Sequence, residues 1–139
     1  PGLKVSEAQL AELLARLKRL VPAHELVVVA GSLPRGIDSQ WFVEMLNTLK
    51  ALGARVALDT SGAALRDGLA ATPWLIKPNE EELAEARGVD LTGSSALLAE
   101  ARRHGTTVLL VSHDHRLGSG FDRDIALACI NRRAQAVRA

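Results

Sequence analysis

The segment that decides the fold is Trp74-Leu75-Ile76-Lys77-Pro78-Asn79-Glu80-Glu81-Glu82-Leu83, which joins a short apolar run to an acidic one. Residues 74–76 predict a buried strand, and residues 80–87 predict a helix with an acidic first turn and a basic last turn. Lys77 then lies at the carboxyl end of a strand, where open α/β sheets usually bind ligands. Asn79 and Glu82 also match a capping box, and the segment taken alone favours this purely structural role over ligand binding.

Apolar strands and amphipathic helices alternate along the rest of the chain. Ser6 with Gln9 predicts a capped helix, and Asp38 predicts the start of another that Gly53 ends. Shorter helices are predicted over residues 63–69 and after residues 92–94. Strands this apolar are usually buried on both faces, which predicts a three-layer α-β-α sandwich with a mostly parallel sheet. Its neighbouring parallel strands are expected to begin near these residues: Leu26, Arg55, Trp74 and Thr107.

Composition excludes several classes of partner. The 139 residues correspond to about one domain, and 47% hydrophobic residues suffice for one packed core. The 17 basic and 16 acidic residues are interspersed and leave a formal charge of +1, which gives no electrostatic footprint for nucleic acid or an anionic membrane.

Cysteine content and hydropathy indicate the compartment. Cys129 is the single cysteine, which excludes an internal disulfide and favours a reducing, cytoplasmic setting. No apolar run approaches the roughly 20 residues that span a bilayer, and the amino terminus lacks a signal pattern. We therefore expect neither membrane insertion nor secretion.

The loops after the first two strands carry candidate ligand contacts. Gly31 and Gly36 allow positive φ and close backbone approach, and Arg35 offers a forked donor for phosphate. Asp59 ends the second strand. An ordinary strand-to-helix loop accounts for the glycines and Arg35 equally well, and an aspartate in the position of Asp59 more often forms a turn than takes part in catalysis.

Three segments in register resemble a known family. They are Val27-Val28-Val29-Ala30-Gly31-Ser32-Leu33-Pro34-Arg35-Gly36-Ile37, Arg55-Val56-Ala57-Leu58-Asp59-Thr60-Ser61-Gly62 and Lys77-Pro78-Asn79. Together they resemble the middle of the PfkB-type carbohydrate kinases of the ribokinase-like superfamily, above all the 1-phosphofructokinase branch, over residues 1–112. The resemblance implies one partial ribokinase-like domain over residues 1–139, with residues 113–139 diverging from the family.

The resemblance also implies the chemistry. ATP with magnesium would phosphorylate a sugar phosphate, with fructose 1-phosphate and tagatose 6-phosphate as the alternatives and a homodimer as a compatible assembly. The implied nucleotide contacts are Lys77, Asn79 and Ser112. The implied sugar-phosphate contacts are Gly31, Ser32, Arg35 and Asp59. Glu82 would organise magnesium through water, as suits an ion that keeps several waters.

The last third departs from the family. The Gly-Ala-Gly-Asp run that supplies the kinases' catalytic base is absent, and the nearest candidate is Asp122 in Gly118-Ser119-Gly120-Phe121-Asp122. We therefore expect impaired turnover, with a non-catalytic nucleotide- or sugar-phosphate-binding module or an interaction fragment as the alternatives.

The tail carries a second likeness. Residues 102–114 are similar to the late strand of ABC-transporter ATPases, in which His113 would contact the γ-phosphate. No Gly-x-x-x-x-Gly-Lys-Ser/Thr loop accompanies it, which excludes a working P-loop ATPase, and His113 and His115 are interpreted as loop histidines.

Overall fold

The computed structural model describes residues 4–79, 82, 98–99, 101–112 and 121–125. Helices and strands alternate along this part of the chain. The helices are α1 (Glu7–Leu20), α2 (Ser39–Ala51) and α3 (Gly62–Gly68), with 3₁₀ turns at Val21–Ala23 and Leu69–Ala71. The strands are β1 (Leu26–Ala30), β2 (Arg55–Asp59), β3 (Leu75–Ile76) and β4 (Thr107–Val108). Residues 98–99 and 101–103 are also helical.

The four strands form one parallel sheet in the order β1-β2-β3-β4. Leu26 pairs with Arg55, and Ala30 with Asp59, so β1 and β2 are in register along their whole length. The shorter pairings place Ile76 beside both Leu58 and Val108. These pairings confirm the predicted parallel neighbours, and they bring the carboxyl ends of successive strands together.

Helices α1 and α2 begin where their capping residues predict. In α1, the Ser6 hydroxyl accepts a hydrogen bond from the Gln9 amide, and the Gln9 side chain accepts one from the Ser6 amide. In α2, the Asp38 carboxylate accepts a 2.7 Å hydrogen bond from the Trp41 amide. Each cap satisfies a donor that the first helical turn would otherwise leave without a partner.

One face of the sheet packs against the helices. Val27 and Val29 of β1 are in register with Val56 and Leu58 of β2, and all four belong to or contact the core cluster. The opposing residues of α2 are among the most completely buried of the core, namely Phe42, Leu46 and Leu49. Because consecutive strands are neighbours in the sheet, right-handed crossovers place the described connecting helices, α2 and α3, on this face.

Among the described residues, the opposite face of the sheet is partly exposed. Leu26 and Val28 of β1 are 49% and 59% exposed. Ala57 of β2, which pairs with Val28, is buried. The α/β class and the parallel sheet are confirmed, whereas a second helical layer does not lie among the residues described. Side chains alternate along a strand, so this second apolar face follows directly from the unbroken apolar sequence of β1.

Some predictions concern segments that the structure describes only in part or not at all. The helix predicted over residues 80–87 is described at Glu82 alone, which is helical. His113, His115 and residues 118–120 lie outside the described residues. Within the part described, we find no helix that has both the length and the apolarity to cross a membrane.

Candidate functional site

A cleft of about 200 Å³ lies at the carboxyl end of the sheet. The residues that line it end or follow three successive strands, β1, β2 and β3, or belong to the helical segment at Glu82. They are Gly31, Ser32, Asp59, Thr60, Ser61, Lys77, Asn79 and Glu82. The parallel pairing creates this convergence, because it brings to one edge residues that are up to 51 positions apart, from Gly31 to Glu82.

Backbone hydrogen bonds fix the walls of the cleft. The Gly31 amide donates to the Asp59 carbonyl over 2.9 Å, and the Lys77 amide donates to the Leu58 carbonyl over 2.8 Å. Both bonds continue the strand pairing beyond its last residues. Gly31 has φ +90°, in the left-handed region that glycine adopts without strain. Since these two amides are used within the protein, side chains and other backbone groups must supply the contacts to any ligand.

Lys77 and Asp59 form an ion pair across the cleft. Lys77 Nζ lies 2.8 Å from Asp59 Oδ1, and their side chains are 39% and 43% exposed. A pair this accessible to water contributes little to folding stability. The Lys77 ammonium has three donors, of which Asp59 engages one. The remaining donors lie at the position where the strand-end geometry favours a ligand.

Asn79 and Glu82 form the capping box that the sequence predicts. The Glu82 amide donates to Asn79 Oδ1 over 2.6 Å, and the Asn79 amide donates to Glu82 Oε2 over 2.9 Å. This arrangement confirms the structural interpretation of the motif. It also holds one amide group and one carboxylate at the rim of the cleft, so the structural and ligand-binding roles are compatible.

Two lining residues were not among the predicted site residues, namely Thr60 and Ser61. They directly follow Asp59, so position after a strand end was the signal that could have identified them. Thr60 is 6% exposed, and among the described residues its hydroxyl oxygen is buried without a hydrogen-bond partner. An unpaired buried hydroxyl generally costs about 1 to 3 kcal/mol.

The structure does not bring all predicted contacts together. Arg35 is absent from the lining, and its backbone pairs instead with Lys4 and Val5, whose amide donates to the Arg35 carbonyl over 2.9 Å. Ser112 is half-buried beyond β4 and does not line the cleft. Asp122 is 94% exposed, lies 3.6 Å from Arg102 and is also outside the cleft.

Fold and site together define a parallel α/β protein with a polar cleft at the carboxyl ends of its strands. Residues 3–116 match the model of the pfkB family of carbohydrate kinases. The chain belongs to that family.

Curated relatives resemble the chain over part of their length. The 1-phosphofructokinase of Vibrio cholerae is 45% identical over 92 residues, which are 66% of this chain and 29% of that protein. The 1-phosphofructokinase of Rhodobacter capsulatus is 41% identical over 73% of this chain and 33% of that protein. The chain therefore spans about a third of the length of these relatives.

Solved structures support the same fold. Escherichia coli phosphofructokinase-2 in complex with fructose-6-phosphate superposes with a TM-score of 0.59 at 27% identity, covering 79% of this chain and 38% of that one. A possible 1-phosphofructokinase from Thermotoga maritima gives a TM-score of 0.65 over 81% of this chain and 37% of that one. At 20% identity, this second likeness concerns the fold alone.

Proposed function

We propose that this chain provides the phosphate-binding part of an ATP-dependent sugar-phosphate kinase of the 1-phosphofructokinase type. The observation that carries the proposal is the Lys77 ammonium, held at the carboxyl end of β3 in a cleft bounded by the loops after β1 and β2. The names of the curated relatives support fructose 1-phosphate as the acceptor and fructose 1,6-bisphosphate as the product.

The lining residues divide into two groups under this proposal. Lys77 and Asn79 would contact nucleotide phosphates, with Lys77 supplying the charge that a transferring phosphoryl group needs. Ser32 and Asp59, which follow or end the neighbouring strands, would contact the sugar phosphate together with the Gly31 turn, and the Asp59 carboxylate would accept hydrogen bonds from the sugar hydroxyls. Arg35 and Ser112 stay candidates for the same two ligands from positions outside the cleft.

The carboxylates of the cleft suit magnesium. The described residues contain no group of three or more His, Cys, Asp or Glu that could hold a metal ion, and two carboxylates, Asp59 and Glu82, line the cleft. This set fits an ion that keeps most of its waters and shares its ligands with substrate phosphates, and it does not fit a cage built of protein alone. Bound with ATP, magnesium would neutralise charge on the phosphates, and Glu82 would hold one of its waters.

Turnover is expected to be weak in this chain. Asp122, the candidate base, is almost fully exposed and lies beside Arg102, outside the cleft. General-base assistance contributes typically about 10² to 10⁴ in rate. This observation favours the second candidate function, a module that binds nucleotide or sugar phosphate without turnover.

Calorimetry and a coupled kinase assay on the same preparation test the proposal. We expect magnesium-ATP to bind and Lys77→Met to weaken that binding, while transfer to fructose 1-phosphate stays negligible. A measurable rate that Asp122→Asn abolishes would favour the kinase over the binding module. Robust turnover that survives Asp122→Asn would contradict the assignment of the base, and failure of magnesium-ATP to bind at all would contradict the proposed function.

A further inference from the structure

The charged groups of the cleft do not match a free phosphate. Among the described lining residues, Lys77 supplies one positive charge, whereas Asp59 and Glu82 supply two negative charges, which leaves a net charge of −1. The single ammonium is already engaged, since Lys77 Nζ lies 2.8 Å from Asp59 Oδ1. An uncomplexed phosphate would enter a cleft whose cation has a partner and whose remaining charge is of its own sign.

Geometry keeps Asp59 close to any phosphate that Lys77 binds. The ammonium can contact both groups, because it has three donors. A phosphate oxygen at a usual contact distance of about 2.8 Å from Nζ would then lie within about 5.6 Å of Asp59 Oδ1, two such contacts end to end. At that separation, and in a partly exposed site, one like charge changes affinity by roughly tenfold.

We infer that Asp59 is a specificity-determining residue, which holds Lys77 as its counter-ion and discriminates against phosphate groups that reach the Lys77 ammonium without a divalent cation. Asp59 repels a phosphate neutralised by magnesium far less, so such a phosphate can contact the Lys77 ammonium at little electrostatic cost. The inference rests on the proposed function of the cleft and adds to it a rule for which phosphates are accepted. It predicts that removing the Asp59 charge relaxes the metal dependence of binding.

The experiment compares Asp59→Asn with the unmodified chain by calorimetry. Inorganic pyrophosphate and ATP serve as probes, each titrated in EDTA and again in excess magnesium, so phosphate chemistry is separated from nucleoside contacts. Asp59→Asn should bind both probes about tenfold more tightly in EDTA and should gain no more than about twofold in magnesium. Asp59→Ser should behave in the same way, and it replaces Asp59→Asn if that variant fails to fold.

Glu25→Gln is the matched control, because it removes one negative charge at the opposite end of the sheet, where Glu25 pairs with Arg55. The control should leave affinities in EDTA within about twofold of the unmodified chain, since solvent ions screen exposed charges beyond roughly 10 Å. An equal gain in Glu25→Gln would mean that net charge, and not Asp59, sets the preference, and would overturn the inference.

The outcomes separate this inference from the proposed function. If the unmodified chain binds magnesium-ATP and Asp59→Asn gains nothing in EDTA, the inference is wrong and the proposed function stands. If neither the unmodified chain nor any variant binds either probe under any condition, both are wrong. A gain that pyrophosphate and ATP show alike assigns the discrimination to phosphate chemistry. A gain confined to ATP contradicts that assignment.

Discussion

The two ends of the sheet carry similar charges but arrange them differently. At the amino end, the Arg55 guanidinium pairs with Glu25 and lies 5.6 Å from the centre of the Trp74 ring, so one cation at the start of β2 contacts the residues that precede β1 and β3. At the carboxyl end, Lys77 pairs with Asp59, and the same two residues line a cleft with polar neighbours. An ion pair alone therefore does not make a binding site, whereas an ion pair inside a cleft leaves its cation accessible to a ligand.

The largest effect on stability is expected from substituting a glycine in the loops at each end of the sheet. Gly36 has φ +98°, and an added Cβ would lie 2.8 Å from the Val5 carbonyl oxygen. Gly36→Ala should lower the free energy of unfolding by about 2 to 4 kcal/mol, since it combines backbone strain with a clash against the backbone. Gly53, before β2, has φ +91° with nothing within 4 Å of its Cβ position. Gly53→Ala should therefore cost only the strain, about 1 to 2 kcal/mol.

Denaturant unfolding of both glycine variants makes this comparison. Equal losses of unfolding free energy in the two variants would show that the clash between a Cβ at residue 36 and the Val5 carbonyl oxygen adds nothing to the destabilisation. The positive φ of Gly36 alone would then determine the conformation of the loop after β1.

The next largest effect should distinguish Lys77 at the carboxyl end of the sheet from Arg55 at its amino end. Lys77→Met should weaken magnesium-ATP binding by roughly 10- to 100-fold, because a hydrogen bond to a charged group is worth about 1.5 to 3 kcal/mol. Arg55→Met removes the same charge at the amino end and should leave binding within about twofold. Calorimetric titration measures both, and comparable losses in the two variants would remove the functional distinction between the ends.

A smaller effect distinguishes the two roles of Asn79. Asn79→Ala and Ser6→Ala each break a capping box, so each should lower the free energy of unfolding by about 1 kcal/mol. Only Asn79→Ala should also weaken magnesium-ATP binding, because Asn79 lines the cleft. If titration finds no loss of affinity for Asn79→Ala, its role is restricted to capping.

The smallest effect is expected from the amino-end ion pair. Glu25 and Arg55 are 79% and 54% exposed at their side chains. Exposed pairs contribute little, so Glu25→Gln should change the free energy of unfolding by about 0.5 kcal/mol or less. Thermal unfolding followed by circular dichroism checks this value, and a loss above about 2 kcal/mol would make the amino end a stabilising centre instead of a passive surface.

Local patterns predicted much of the fold. The capping residues Ser6, Asp38 and Asn79 each act within three residues of their partners, so the sequence alone contains the whole interaction. The apolar runs of β1 and β2 likewise identify strands, and alternation with helices implies parallel pairing. The site residues that end strands follow from the same rules.

Long-range contacts were not predictable in this way. Arg35 follows a strand as Ser32 does, yet its backbone pairs with Lys4 and Val5, about 30 residues earlier, which the local pattern does not contain. The Lys77–Asp59 pair also depends on the register between β2 and β3. The exposed face of β1 shows the same limit, because apolarity indicates that a strand face can be covered without identifying what covers it.

The most direct test of the account follows backbone amide signals by NMR while magnesium-ATP is added. We expect the largest shifts at the carboxyl end, in residues 31–36, 59–61 and 77–79, and only small shifts in residues 24–25 and 53–55 at the amino end. Lys77→Met should reduce the shifts at the carboxyl end. Shifts confined to the amino end, or unchanged by Lys77→Met, would contradict the assignment of the cleft as the phosphate-binding site.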